Sequence, residues 1–148
     1  MHKEDFAMTY AVRYQSQGGK TKKVAQILAQ TLGVEAYNLD TPITEPVDYL
    51  FVGGGLYIKR YNQPIKDYLE ETDLSLIGEI VPFATCNEFS NVIKQIRKFC
   101  KSNNIKCASE DLCIKWVLEG MLDIGFRGAE FTPELENRIR EFAKKFLA

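Results

Sequence analysis

The stretch YQSQGGKT, residues 14–21, closes the first apolar run of the chain and opens into a helical pattern. Before it, Phe6 to Tyr14 is rich in aromatic and β-branched residues and reads as a strand. After it, residues 20–32 follow a 3.6-residue period, with Val24, Ile27, Leu28 and Leu32 on one face. A strand, a glycine-rich turn and a helix make the first half of a βαβ unit, so this stretch sets the fold class. It also raises a chemical question. A helix that opens behind a glycine pair has unpaired N–H groups at the positive end of its dipole. Gly18 and Gly19 permit close backbone approach, and Ser16 and Thr21 add hydroxyl donors. Two readings fit: a metal-free cradle for a monophosphate, or a tight turn capped by Ser16 or Gln17 that holds nothing.

A triphosphate loop is excluded. Gly19-Lys20-Thr21 supplies its end, but the required first glycine falls on Tyr14. The third strand ends Phe51-Val52-Gly53, with no acidic residue for magnesium. The dinucleotide fingerprint is also absent from this turn.

Outward from here, strand-like and helix-like segments alternate. Val34 to Leu39 reads as a short strand, and residues 40–47, with Pro42 and Pro46, as a loop too short for a full helix. Tyr49 to Val52 is an uninterrupted apolar run, as in a buried parallel strand, and stops at Gly53-Gly54-Gly55. A helix is expected from Pro64 to about Glu71, a strand over Glu79 to Thr85, and a helix over 90–103 capped by Ser90. A further strand falls within 105–118, split near Ser109-Glu110-Asp111. Thr132 and Pro133 open a last helix whose Leu135, Ile139, Phe142, Ala143 and Phe146 face inward. Alternation of this kind, with right-handed crossovers, predicts one doubly wound three-layer α/β domain over residues 1–148, with a five-stranded parallel sheet.

Composition narrows the function classes. The chain has 148 residues, 19 basic and 20 acidic side chains, and a formal net charge of −1. That is no basic footprint for nucleic acid, and Lys20, Lys22 and Lys23 read as a solvated helix face that also favours a nearby anion. No apolar run is long enough to span a membrane, and no leader is evident, so a cytoplasmic protein is expected. Cys86, Cys100, Cys107 and Cys113 show no Cys-x-x-Cys spacing, and His2 is the sole histidine, which argues against a metal site and for reduced thiols. Cys86 lacks the arginine of a Cys-x5-Arg phosphatase, since position 92 is Val92. A receiver domain would need an acidic pair after the first strand and an aspartate ending the third, and has neither here.

In a doubly wound sheet, ligands bind beyond the carboxyl ends of the strands at the point where strand order reverses. Three loops qualify: 15–21, 53–61 and 85–90. Three consecutive glycines at a strand end are costly unless the backbone takes special torsions or something packs against it. Tyr57, Tyr61 and Phe89 bring aromatic faces to the same edge. A phosphate cradle, a glycine-rich loop and aromatics together suit a planar ring on a phosphate tail.

Here the chain resembles the flavodoxin-like family, from about residue 6 to 147. The family's Ser/Thr-x-Thr-Gly-x-Thr phosphate loop aligns with Ser16-Gln17-Gly18-Gly19-Lys20-Thr21, in which Gly18 replaces the middle threonine. Residues 48–57 resemble the third strand and ring-binding loop, and Val81 to Thr85 the fourth strand leading to the second ring-binding loop, Thr85-Cys86-Asn87-Glu88-Phe89. The resemblance implies strand order 2-1-3-4-5 and non-covalent FMN. It implies phosphate contacts from Ser16, Gln17, Gly18, Gly19, Lys20 and Thr21, and ring contacts from Gly54, Gly55, Leu56, Tyr57, Thr85, Cys86, Asn87 and Phe89, with Tyr57 stacking. Gly54 or Gly55 would be the peptide that reorients beside the flavin's N5. Glu88 would place a negative charge near the ring.

Three readings of function follow. The first is a small FMN-binding electron-transfer protein with an unknown redox partner protein. The second is an FMN-dependent oxidoreductase acting on a quinone or porphyrinogen. The third is an interaction module on this fold that no longer binds flavin. The absence of a recognisable substrate insertion favours the first over the second.

Overall fold

A computed structural model describes residues 7–15, 19–55, 63–86, 92–115 and 131–147. Strands β1 (Tyr10–Gln15), β2 (Ala36–Asn38), β3 (Val47–Gly55), β4 (Ile77–Cys86) and β5 (Leu112–Lys115) alternate with helices α1 (Lys20–Leu32), α2 (Gln63–Glu71), α3 (Val92–Ser102) and α4 (Pro133–Lys144). All pairings are parallel, in the order β2-β1-β3-β4-β5. This is the expected doubly wound sheet. Its switch point lies between β1 and β3, where Gln15 is in register with Gly54.

The two faces are covered differently. Val12, Tyr14, Phe51, Val81 and Phe83 pack under α1 and α4 with Leu28, Ile139 and Phe142. The end of α4 is clasped by aromatic rings. Phe146 meets Tyr49 and Phe51 edge-on, both at 5.2 Å, and Tyr10 donates its hydroxyl hydrogen to the Phe146 carbonyl at 2.6 Å. On the opposite face Leu50, Val52, Ile80 and Ala84 pack under α2 and α3 with Ile65, Leu69 and Ile96. Among the described residues no helix covers β1 there. Instead Arg13, only 7% exposed, donates through Nε to the Thr41 carbonyl at 2.8 Å, and Tyr68 of α2 donates to the same oxygen at 2.7 Å. Residues 39–46 are thus pinned across the sheet by a buried guanidinium, with a groove of about 240 Å³ between them and β2. A charge in a strand otherwise read as apolar is tolerated because it is hydrogen-bonded.

Several boundaries differ from the sequence reading. β1 starts at Tyr10; residues 7–9 are not strand, and Thr9 instead exchanges hydrogen bonds with Asp48. β2 is shorter than Val34–Leu39. β3 does not stop at the glycines but runs through all of them. β4 begins two residues earlier than expected, after an unforeseen 3₁₀ turn at Leu74–Leu76 capped by Asp73. The expected split in the fifth strand is present. Cys107 makes an isolated bridge to Ile80, and the ladder resumes at Leu112 opposite Phe83. The split explains Pro82 in a central strand. Ile80 points its N–H and carbonyl toward residues 106 and 108, and Pro82, of the same parity, faces the gap where no N–H is needed. Thr132 caps α4 as expected, accepting from the Leu135 N–H at 3.1 Å. The Ser90 cap falls outside the described residues.

Candidate functional site

The helix that opens the site begins at Gly19, whose φ of 89° lies in the left-handed region. A glycine sits there without the steric penalty other residues would pay. Its carbonyl accepts the Lys23 N–H at 3.1 Å, starting α1 in register. The first turn carries no acidic residue, and Lys20, Lys22 and Lys23 surround it. Lys23 lies 5.1 Å from the Phe131 ring centroid. Helix dipole and side chains therefore have the same positive sign at this end.

Thr21 does not point to solvent. It is 2% exposed, and its Oγ1 lies 2.5 Å from Oγ1 of Thr85, itself 4% exposed, at the end of β4. This contact ties the start of α1 to a strand 64 residues away. In a hydroxyl pair one hydrogen serves the bond and the other stays available as a donor. Thr85 is in register with Gly55, so the pair lies on the face of β3 that carries Gly53 and Gly55.

Two of the three β3 glycines, Gly53 and Gly54, are explained by packing rather than torsion. None has positive φ. A Cβ on Gly53 would overlap the Phe83 carbonyl and ring, and one on Gly54 would come 2.8 Å from Ile65 Cδ1. Beside Gly54, the Oε1 of Gln15 is buried and has no hydrogen-bond partner among the described residues. A buried acceptor without a donor costs about 1–3 kcal/mol, so a bound group that donates to it gains correspondingly. Gln15 was not singled out in the sequence. Its place as the last residue of β1, one residue before the turn, was the available signal.

Of the residues expected at the site, Gly19, Lys20, Thr21, Gly54, Gly55, Thr85 and Cys86 are brought to one carboxyl edge, at the ends of β3 and β4 and the start of α1. Gly54, Gly55, Thr85 and Cys86 are strand residues rather than loop residues. Ser16, Gln17, Gly18, Leu56, Tyr57, Asn87 and Phe89 lie outside the described residues, as do Tyr61 and Glu88. Among the described residues no group of three or more His, Cys, Asp or Glu side chains is arranged to hold a metal, and no helix is long and apolar enough to cross a membrane.

No family model matches the sequence, and no curated protein matches it. Solved structures do. A flavodoxin from the domain Archaea superposes with a TM-score of 0.62 at 16% identity, covering 93% of this chain and 99% of its own. Oxidised flavodoxin 2 from Bacillus cereus gives 0.60 at 16%, with 93% and 99% coverage. The apo form of an NADH:FMN oxidoreductase gives 0.57 at 16%, with 95% and 90% coverage. At these identities the likeness is one of fold: the chain has the flavodoxin-like fold over nearly its whole length.

Proposed function

We propose that this chain is an FMN-binding flavoprotein that acts in electron transfer. The observation that supports it best is the convergence at the switch point. The positive start of α1, the Thr21–Thr85 hydroxyl pair and the unpartnered Gln15 oxygen all meet at the ends of β1, β3 and β4, where this fold class binds ligands. Proteins sharing the fold include flavodoxins and an NADH:FMN oxidoreductase.

When bound, the isoalloxazine supplies the redox chemistry, and the chain supplies placement and electrostatics. Gly19, Lys20 and Thr21, with Ser16, Gln17 and Gly18, would hold the phosphate through backbone N–H groups and hydroxyls. The Thr21–Thr85 bond holds the phosphate-binding helix against the ring-binding strand, so the two halves of the ligand are oriented by one rigid contact. Gly54 and Gly55 would present a backbone wall without side chains to the ring. Gln15 Oε1 would offer a buried acceptor to a donor group of the bound flavin. Tyr57 and Phe89, with Leu56, Cys86 and Asn87, are the further ring contacts that the family resemblance implies.

The test is a titration of the purified protein with FMN, following flavin fluorescence, beside one with riboflavin. The expected result is one equivalent bound and a clear preference for FMN, since a hydrogen bond to a charged group is worth about 1.5–3 kcal/mol. The double variant Thr21→Val/Thr85→Val removes both hydroxyls at nearly constant shape. It should weaken FMN by roughly tenfold to a hundredfold, weaken riboflavin less, and retain the wild-type melting transition. Equal affinity for FMN and riboflavin would refute the cradle. Absence of any flavin binding would favour an interaction module on this fold.

A further inference from the structure

The groove of about 240 Å³ beside Arg13 has a floor and a rim of different character. Ala11 and Ile43, both buried, and the partly buried Val47 give it an apolar floor. Glu35 and Glu45 are exposed on its rim, one just before β2 and the other in the segment that crosses the sheet. Tyr37 of β2 lines the same groove and is 46% exposed. The other large apolar side chains this open among the described residues, Met8 and Leu147, lie at the two ends of the described chain. The Tyr37 ring is held in place, with the Arg13 guanidinium carbon 5.2 Å from its centroid. β2 is the outermost strand, and among the described residues no strand pairs with its far side.

The accessible charge here has one sign. Residues 24–55 carry Glu35, Asp40, Glu45 and Asp48 and no Lys, Arg or His, against a net charge of −1 for the whole chain. Among the described residues none of the four is in an ion pair. Asp48 accepts hydrogen bonds from Thr9, which leaves Glu35 and Glu45 as the uncommitted carboxylates of the groove. Arg13 is buried, and its guanidinium is engaged by the carbonyls of Val12, Thr41 and Pro42. Lys23 and Arg140 line the next groove, between α1 and α4, which shares Glu35 as a wall; Arg140 is taken by Glu136 at 3.1 Å.

We propose that this groove is a docking surface for a basic, extended segment of a partner protein, with one lysine or arginine side chain laid in it, its stem on the apolar floor and its cation at Glu35 and Glu45. Long cationic side chains bury their methylenes on apolar surface while the head stays with water or a counter-charge. The acidic rim complements that head and disfavours acidic competitors. Tyr37, already held by Arg13, supplies an aromatic anchor of the kind that dominates interface energetics. A second copy of this chain, docked by two-fold symmetry, would set the same acidic rim against itself. A metal ion would find only two carboxylates, and among the described residues no group of three is arranged to hold one. The groove draws on the starts of β1 and β3 and the approach to β2, away from Gly54, Gly55 and Thr85 at the carboxyl edge, so the inference does not rest on flavin binding.

The test titrates the ¹⁵N-labelled full chain with a capped hexapeptide of alternating lysine and valine, beside its glutamate–valine counterpart, and follows the amide correlation spectrum. The lysine peptide should shift the amides of residues 35–38 and 43–47 and leave Gly54, Gly55 and Thr85 in place. The glutamate peptide should shift none of them. Glu35→Gln/Glu45→Gln should weaken the lysine peptide roughly twofold to thirtyfold, and Tyr37→Ala by roughly fivefold or more. All three side chains are exposed, so the melting transition should stay at its wild-type position. Glu70→Gln/Glu71→Gln on α2 removes the same charge elsewhere and should leave the affinity unchanged. No shifts, an equal response to both peptides, shifts centred on the carboxyl edge, or an equal loss in the two double variants would each overturn the proposal.

Discussion

The two faces of the sheet solve one problem differently. Under α1 and α4 the strands are sealed by apolar side chains and a chain of aromatic rings that runs from Tyr10 through Tyr49 and Phe146 to Phe142. Under α2 and α3 the cover stops short of β1, and a buried arginine holds an irregular segment in place of a helix. Apolar cover is robust because it is spread over many contacts, whereas polar cover rests on a few bonds that must all be made. The candidate site draws on the first face, through α1 and Thr85. The second face contributes Gln15 and Ile65 behind Gly54.

The largest effect should come from the aromatic side. Phe51→Ala removes a fully buried ring and should cost about 3–5 kcal/mol in denaturant unfolding. A much smaller loss would mean that the aromatic cluster repacks. Arg13→Met keeps the aliphatic stem and removes the donors. A loss of about 1.5–3 kcal/mol is expected, with faster amide exchange confined to residues 39–46. Uniform exchange across the sheet would deny that the guanidinium pins that segment. Tyr68→Phe leaves Arg13 in place and should cost about 1 kcal/mol.

The mildest prediction concerns alkaline pH. Burial raises the pKa of both Tyr10 and Tyr68, in Tyr68 against the opposing charge of Arg13. The folded state therefore keeps their protons where the unfolded chain has begun to lose them. The stability they contribute is fully present below the ordinary tyrosine value and falls as pH rises from there through the raised folded values. Tyr10→Phe/Tyr68→Phe should flatten that alkaline slope in a melting series, and an unchanged slope would locate the titration elsewhere.

What the sequence revealed depends on the range of the interaction. Periodicity located α1, and the Thr132-Pro133 pair marked the start of α4, because caps and amphipathic faces are local. Strand order came from the family resemblance and the structure bears it out. The reason for the β3 glycines was half legible. Their cost showed in the sequence, but the ring of Phe83 and the methyl of Ile65 that occupy their missing side chains did not. The Thr21–Thr85 bond was hidden, since it spans 64 residues. Arg13 was hidden too, because burial of a charge depends on carbonyls elsewhere in the chain.

The most direct test of a flavin site at the carboxyl edge is an amide correlation spectrum of ¹⁵N-labelled protein titrated with FMN. The account predicts shifts concentrated at Gln15, Gly19 to Thr21, Gly54, Gly55, Thr85 and Cys86, with the amides of residues 36–47 and 100–107 unmoved. Shifts centred on the groove beside Arg13, or a spectrum that FMN leaves unchanged, would contradict it.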